Sequence, residues 1–394
     1  MSRHSRAASA ASPGLLGQWA SPNELVAVSL AGDTAYLAAW AGGVLAVNVS
    51  QPSRISLTGS YDTAGLTQAV AVTANLAWVA DHAGGLAVID FSNPASPLPL
   101  GRYVSQHFVS DVVVRGDRAY LAEGAAGLTV LDASNPNQPA VLGRYDSTGQ
   151  TVKLAVSDTL VYLAEGSAGV AILDAGNPAN PVLISRYDTP GTARAIVLQD
   201  TLAYVADGAQ GLLILDVGNP NTPQRIGQID TPGDATDVAV RNGVAYVADG
   251  SSGVQVFDVS QPGQPVALTR YDTPGDAQGI AVQGSTVYVA DGDNGLRVLN
   301  VALNHLPTGV LTIVGNAIQN QTLSVSQTLA DADGLGPLRY QWLANGVAIP
   351  GATGTDYLLT QVDVGKIITV TAGYTDGLGT PETAIPHPSP GIGI

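Results

Sequence analysis

The groups able to do chemistry in this chain are carboxylates and a few histidines. There are 32 Asp and Glu, 5 His and no Cys. Without a thiol there is neither a disulfide framework nor a thiolate nucleophile. His4, His82, His107, His305 and His387 form no spaced metal-ligand cluster. HExxH, GxSxG and P-loop patterns are missing, and Gly365-Lys366 is followed by Ile rather than Ser or Thr. Abundant carboxylates leave a glycosidase-like pair as the open catalytic chemistry, so a hydrolase or lyase is the least favoured reading. Asp291-Gly-Asp-Asn-Gly295 and Asp331-Ala-Asp-Gly334 look like calcium loops. An EF-hand loop from Asp291 needs Glu at its twelfth position, where Ala302 stands. Both read first as acidic turns: no catalytic residue, metal ligand or cofactor is assigned, and calcium alone stays open.

The carboxylates belong to a repeat. An aromatic residue followed by Leu or Val and then Ala recurs at Tyr36, Trp78, Tyr120, Tyr162, Tyr204, Tyr246 and Tyr288, each 42 residues after the last. Each copy holds short apolar runs punctuated by Gly, Pro, Asn and Asp, which predicts strands; in the sixth these are 236–240, 244–248, 254–259 and 266–271. Runs such as Ala-Tyr-Val-Ala are apolar on both faces, as in sheets covered on both sides. Seven residues after each anchor comes a turn glycine (Gly43, Gly85, Gly127, Gly169, Gly211, Gly253, Gly295). Twelve after it comes an Asx (Asn48, Asp90, Asp132, Asp174, Asp216, Asp258, Asn300), suited to capping the next turn.

The seventh copy stops after its third strand. Its missing outer strand lies at the N-terminus, where Pro13-Gly-Leu-Leu-Gly-Gln-Trp19 matches Pro139-Ala-Val-Leu-Gly-Arg-Tyr145. Closing the ring removes the open edges that an open solenoid would leave, so the fold class is all-β: a seven-bladed propeller closed by its own first strand. Gly-Leu-Ala-Val-Ile-Asp (85–90) and Gly-Leu-Leu-Ile-Leu-Asp (211–216) resemble the LVIVD-repeat family of bacterial and archaeal surface propellers over residues 13 to about 303. The resemblance implies a propeller and extracellular display, and no defined reaction.

After 304–309, read as a linker, the period ends. Residues 310–386 alternate like a β-sandwich, and Tyr340-Gln-Trp342, Gly346-Val-Ala-Ile-Pro-Gly-Ala352 and Val362-Asp-Val-Gly-Lys366 resemble Ig-like modules of large bacterial secreted and adhesin-type proteins. That resemblance implies a spacer, with Trp342 as its central aromatic. Residues 1–12 and 387–394 read as tails.

Candidate binding residues come from the loops. Second-to-third-strand turns and copy-to-copy crossovers share one face. Asp81, Glu123, Glu165, Asp207, Asp249 and Asp291 follow their anchors by three residues and, with Asp62, Asp146, Asp188, Asp230 and Asp272 of the crossovers, predict an acidic ring. It would serve either turn hydrogen bonding or docking of a cation or basic ligand. Irregularities mark part of this face. Trp40 and His82 replace a glycine, Val104-Ser-Gln-His107-Phe108 replaces Asp-Thr-Pro-Gly, and Asp111 and Lys153 replace small inner-strand residues, with Asp237 farther round. Trp40, His82, His107, Phe108, Asp111 and Lys153 are the expected ligand contacts, Asp111 and Lys153 alternatively an ion pair between adjacent blades.

Composition bounds the partners. A net charge of −16 with only two lysines, Lys153 and Lys366, opposes nucleic acid and anionic membrane. The apolar stretch 25–49 is broken by Asp33 and glycines, which argues against a membrane span, and residues 1–12 lack the apolar core of a signal peptide. The resulting expectation is a non-catalytic, extracellular or surface-displayed binding or adhesion protein that recognises a protein or glycan ligand. A self-assembling surface component is the alternative, and oligomeric state stays open.

Overall fold

The computed structural model describes residues 13–301, 307–331, 334–376 and 381–384, with the backbone of 9–10 and 303–304. Residues 12–301 form one compact unit of seven four-stranded antiparallel sheets. Blade 1 is Ala27–Ala31, Thr34–Ala38, Val44–Asn48 and Ser56–Tyr61. Blades 2 to 6 repeat this at the 42-residue step, beginning at Ala69, Asp111, Lys153, Ala195 and Asp237. Blade 7 holds Gly279–Gln283, Thr286–Ala290 and Leu296–Asn300, and Gly14–Trp19 supplies its outer strand, Trp19 opposite Leu296 and Gly14 opposite Asn300. Tyr145 stands opposite Leu128 in the same register, so the N-terminal segment occupies the place that the repeat assigns it.

The first strands of neighbouring blades pack against one another all round the ring, blade 7 against blade 1 included. That crowding explains Ala27, Ala69, Ala195 and Gly279 at their starts. The second strands are buried on both faces: Ala203, Val205 and Ala206 are inaccessible and Tyr204 nearly so. Each apolar cluster joins two blades. Leu25, Leu37, Leu45 and Val47 of the blade 1 repeat pack with Tyr288, Ala290, Leu296 and Val298 of blade 7, so the ring closes through core as well as through strand pairing.

Two sequence rules have local causes. The Asx residues cap turns: Asp132 Oδ1 accepts the Ser134 N–H at 2.9 Å, and Asp90, Asp174, Asp216 and Asp258 repeat the bond. The outer strand bulges at a glycine that lies against the next blade. A Cβ on Gly17 would overlap the Pro52 carbonyl, and one on Gly59 the Pro94 carbonyl. Blade 4 has Ser185 there, and its hydroxyl donates to the Pro220 carbonyl at 2.6 Å.

The second unit is described by itself. Leu311–Val314, Thr322–Gln327 and Asp356–Leu358 form one antiparallel sheet. Val347–Ala348, Arg339–Ala344, Ile368–Thr375 and Pro381–Ala384 form another. Leu311 and Leu323 from the first meet Trp342, Ile368, Val370 and Ala372 from the second in one core. Trp342 is fully buried; its Nε1 donates to the Gly354 carbonyl at 2.9 Å and its ring stacks on Tyr357. Ser9–Ala10, expected in a tail, pairs antiparallel with Leu303–Asn304, expected at the propeller end and linker. His4, His305, His387 and Asp333, together with tail residues 1–8 and 387–394, lie outside the described residues.

Candidate functional site

The crossover face is stitched by a ring of short backbone bridges. The residue four after each anchor aromatic pairs with the residue two before the next inner strand: Trp40 with Thr67, His82 with Val109, Gly124 with Thr151, and onward to Gly292 with Leu25. The turn forces these residues into the left-handed region. Five blades use glycine there, whereas Trp40 (φ 40°) and His82 (φ 46°) carry large side chains. A non-glycine residue in this conformation costs on the order of 1–2 kcal/mol.

The acidic positions are not a surface ring. Asp81, Glu123, Glu165, Asp207, Asp249 and Asp291 are all buried, because each turns inward beneath its own loop. Five are tied to the crossover ahead of them. Asp81 accepts from Thr63 Oγ1 (2.5 Å) and the Gly65 N–H (2.8 Å), and Asp249 from Thr231 Oγ1 (2.6 Å) and the Gly233 N–H (3.0 Å). Asp207 takes the Gly191 N–H and Asp291 the Gly275 N–H, while Glu165 takes Ser147 Oγ and is paired with Arg186. Burial raises the pKa of Asp81, Asp207, Asp249 and Asp291, and these bonds oppose the rise. Asp291, the first residue of one calcium-like loop, is thus a loop tie. In the other, Asp331 accepts from the Tyr374 hydroxyl. The exposed negative charge of this face comes instead from Asp62, Asp146, Asp188, Asp230 and Asp272.

Glu123 of blade 3 departs from the rule. In its crossover His107 stands where blades 2, 5, 6 and 7 have the donating glycine, and the His107 N–H bonds back to Ser105 Oγ at 2.9 Å; the Gly149 N–H of blade 4 likewise bonds Ser147 Oγ, but there the serine hydroxyl passes on to Glu165. The carboxylate therefore has no tie to the crossover. Glu123 Oε2 accepts from Thr129 Oγ1 at 2.7 Å, while Oε1 is buried without a partner. Above it lies a cleft of about 480 Å³ lined by Gln68, His82, Gln106, His107, Phe108 and Glu123, with Ser110, Gln150 and Thr151 on its blade 3 and blade 4 sides. Thr151 Oγ1 is likewise buried and unpartnered. Phe108 lies parallel to His82, ring centroids 4.0 Å apart and planes 8° apart, yet is 58% exposed.

A second cavity, about 380 Å³, is the central channel, lined by inner-strand residues of all seven blades. Here Lys153 Nζ bonds Asp237 Oδ1 at 2.6 Å, so the pairing expected with Asp111 of the adjacent blade is not the one formed. Asp111 Oδ2 accepts the Leu154 N–H and Asp237 Oδ2 the Ile280 N–H, both at 3.0 Å. Burial pushes the Asp111 carboxyl up to about 6, against the opposing charge of Lys153 and the Leu154 N–H. Ser110 and Val152 line the cleft while the next residues, Asp111 and Lys153, line the channel, so cleft and channel mouth share a rim.

Of the six expected contacts, the structure brings His82, His107 and Phe108 together. It places Asp111 and Lys153 in the channel, and Trp40, at the blade 1 turn, outside both cavities. Sequence reasoning missed the separate standing of Glu123 and the parts of Gln68, Gln106, Gln150 and Thr151. The available signal was Ser105, which stands where blades 2, 5, 6 and 7 have threonine and takes the His107 N–H that their crossover glycines direct to the carboxylate. Among the described residues no group of three or more Asp, Glu or His is arranged to hold a metal ion, and no helix is long and apolar enough to cross a membrane.

Comparison with known proteins agrees with this architecture. The model of the LVIVD repeat matches seven consecutive segments: 26–63, 64–105, 108–147, 148–189, 190–231, 232–273 and 274–302. No curated protein sequence matches. Among solved structures, the β-propeller domain of Myceliophteria thermophila Cps50 (Swd1) is similar with a TM-score of 0.60 at 11% identity, over 74% of this chain and 100% of that one. U3-55K is similar with a TM-score of 0.60 at 12% identity, over 75% and 100%. A chain of the Mitotic Checkpoint Complex is similar with a TM-score of 0.58 at 14% identity, over 76% and 95%. At these identities the likeness speaks for the propeller fold alone.

Proposed function

Since the chain belongs to the LVIVD-repeat family, we propose that it is a non-catalytic recognition protein acting outside the cell or at its surface, with the blade 2–4 cleft as its binding site. The repeat propeller is consistent with a protein-binding role. The observation that carries the reading is the blade 3 crossover. It breaks the repeat and leaves a buried carboxylate oxygen unpartnered in a cleft that also holds the half-buried His82 and the exposed Phe108 stacked on it. In four blades a crossover glycine N–H meets the equivalent carboxylate, and in blade 4 Ser147 does so; Asp207 Oδ1 and Asp291 Oδ1 are also buried without a partner, but Glu123 alone of the six lacks any crossover tie, and it lines the cleft, where a ligand could offset the cost of the unmet oxygen. The second unit, read as an Ig-like spacer, would hold the propeller away from its attachment. The test is an array of glycans and proteins probed with the full chain, with calcium and with chelator. Specific binding that weakens in His107→Ala and persists in Trp40→Ala supports the cleft. Binding equally strong in both variants removes it as the site.

One feature favours a second reading, a self-assembling surface component. The outer strands bear an apolar belt: Leu15, Leu57, Leu98, Val141, Val182 and Val266 are all exposed. Light scattering across a concentration series decides. Self-association lost on Leu57→Ser and Leu98→Ser supports assembly, and a monomer throughout removes it.

A further inference from the structure

Resting on the recognition reading above, we infer that the ligand of the cleft is a neutral oligosaccharide, one sugar ring laid against Phe108 and its hydroxyls bonded at the floor by Glu123 and Thr151. Three properties of the cleft point there.

The first is the ring pair. His82 covers one face of Phe108, while Phe108 remains largely exposed. His82 is pinned by two backbone bonds to Val109, each 3.1 Å, so the ledge is preorganised. A flat apolar ring beside polar groups suits the C–H face of a pyranose, which is apolar on one side and hydroxylated at its edge. The second is the mixed character of the unmet groups. Glu123 Oε1 and Thr151 Oγ1 can accept, and Thr151 Oγ1 and Gln68 Nε2 can donate. A ligand must therefore offer both donors and acceptors, as a sugar hydroxyl does and an ammonium or guanidinium does not. The third is charge. Neither Lys nor Arg lines the cleft, so nothing there would neutralise a phosphate, sulfate or uronate. Its volume of about 480 Å³ lies within the usual span of small-molecule sites.

The test is isothermal titration of the full chain with cellotetraose, maltotetraose, mannotetraose, xylotetraose and chitotetraose, alongside oligogalacturonate and an oligolysine peptide. At least one neutral oligosaccharide should bind, with affinity lowered about tenfold or more in Phe108→Ala and in Glu123→Gln. Thr151→Val separates ligand contact from folding. Its hydroxyl has no partner in the protein, so the variant should melt no lower than the wild type yet bind more weakly. Asp272→Asn, on an exposed crossover away from the cleft, should bind normally. Binding of oligolysine or oligogalacturonate alone, sensitive to Phe108→Ala, overturns the neutral-sugar assignment and keeps the recognition site. Absence of any binding, together with an array of glycans and proteins that is blank as well, overturns both.

Discussion

Lys153 of blade 4 bonds Asp237 of blade 6 at 2.6 Å, passing over blade 5 and leaving Asp111 of its neighbouring blade to the Leu154 backbone. Long-range electrostatics in the channel thus bind non-adjacent blades, whereas each carboxylate's second anchor is the N–H of the very next blade. Lys153→Met should leave two carboxylates in the channel without a cation. The expected loss is on the order of 2–3 kcal/mol by denaturant titration, below the range for fully buried pairs because the Lys153 side chain is 25% exposed. Lys153→Met with Asp237→Asn should recover part of it. Single-variant losses of Lys153→Met and Asp237→Asn that simply add up to the loss in the double variant would show that the pair contributes no coupling.

Stability should depend on pH through Asp111. Its folded pKa is raised to about 6 from an ordinary 3.8. A raised carboxyl pKa means that the folded state binds the proton more tightly than the unfolded one. The contribution is therefore fully present below about pH 4 and lost as pH rises through about 6, a span worth roughly 3 kcal/mol. Asp81, Asp207, Asp249 and Asp291 shift in the same direction. Asp111→Asn keeps an acceptor for the Leu154 N–H and should raise the melting temperature at pH 8 while leaving pH 4 nearly unchanged. An identical pH profile in the variant would contradict the assignment.

The outer-strand bulge admits no side chain where a neighbouring carbonyl lies against it. Gly17→Val should destabilise by about 3 kcal/mol or more, because the Cβ overlaps the Pro52 carbonyl of blade 1 and the closing strand must move. Ser185→Gly, at the equivalent place in blade 4, should cost only about 1 kcal/mol, for its hydrogen bond to Pro220. Paired thermal melts settle both, and a Gly17→Val protein as stable as the wild type would deny that this contact closes the ring.

His82 sets stability against binding. His82→Gly relieves a left-handed backbone, about 1–2 kcal/mol, and loses the stack on Phe108, about 0.5–1.5 kcal/mol. Stability should stay within about 1 kcal/mol of the wild type while binding at the cleft falls. Trp40→Gly relieves the same strain at a residue outside the cleft and should leave binding intact.

Most of the propeller is legible in the sequence because each blade solves one packing problem with the same residue types. The 42-residue anchor, the turn glycines and the Asx caps report strand ends directly: the sixth copy was readable as 236–240, 244–248, 254–259 and 266–271, and the strands are Asp237–Arg241, Val244–Ala248, Val254–Asp258 and Val266–Tyr271. Side-chain direction was not legible. Asp81 and its equivalents sit in polar turns, where composition implies exposure, yet they bend inward to donors on the crossover. Likewise Lys153 precedes Asp237 by two blades, and only the curvature of the ring brings them together. The site was half visible. His107 and Phe108 stood out by breaking the repeat, but Glu123 obeys it and becomes distinctive only because the His107 N–H turns to Ser105 and leaves the carboxylate untied.

On the reading proposed above, the cleft formed by the blade 3 crossover binds a ligand. The most direct measurement is an array of glycans and proteins probed side by side with the wild-type chain and Phe108→Ala, both checked for an unchanged melting temperature. Recognition by the wild type of a defined set, weakened about tenfold or more in the variant, is the predicted result. The same set bound equally by both proteins would contradict it.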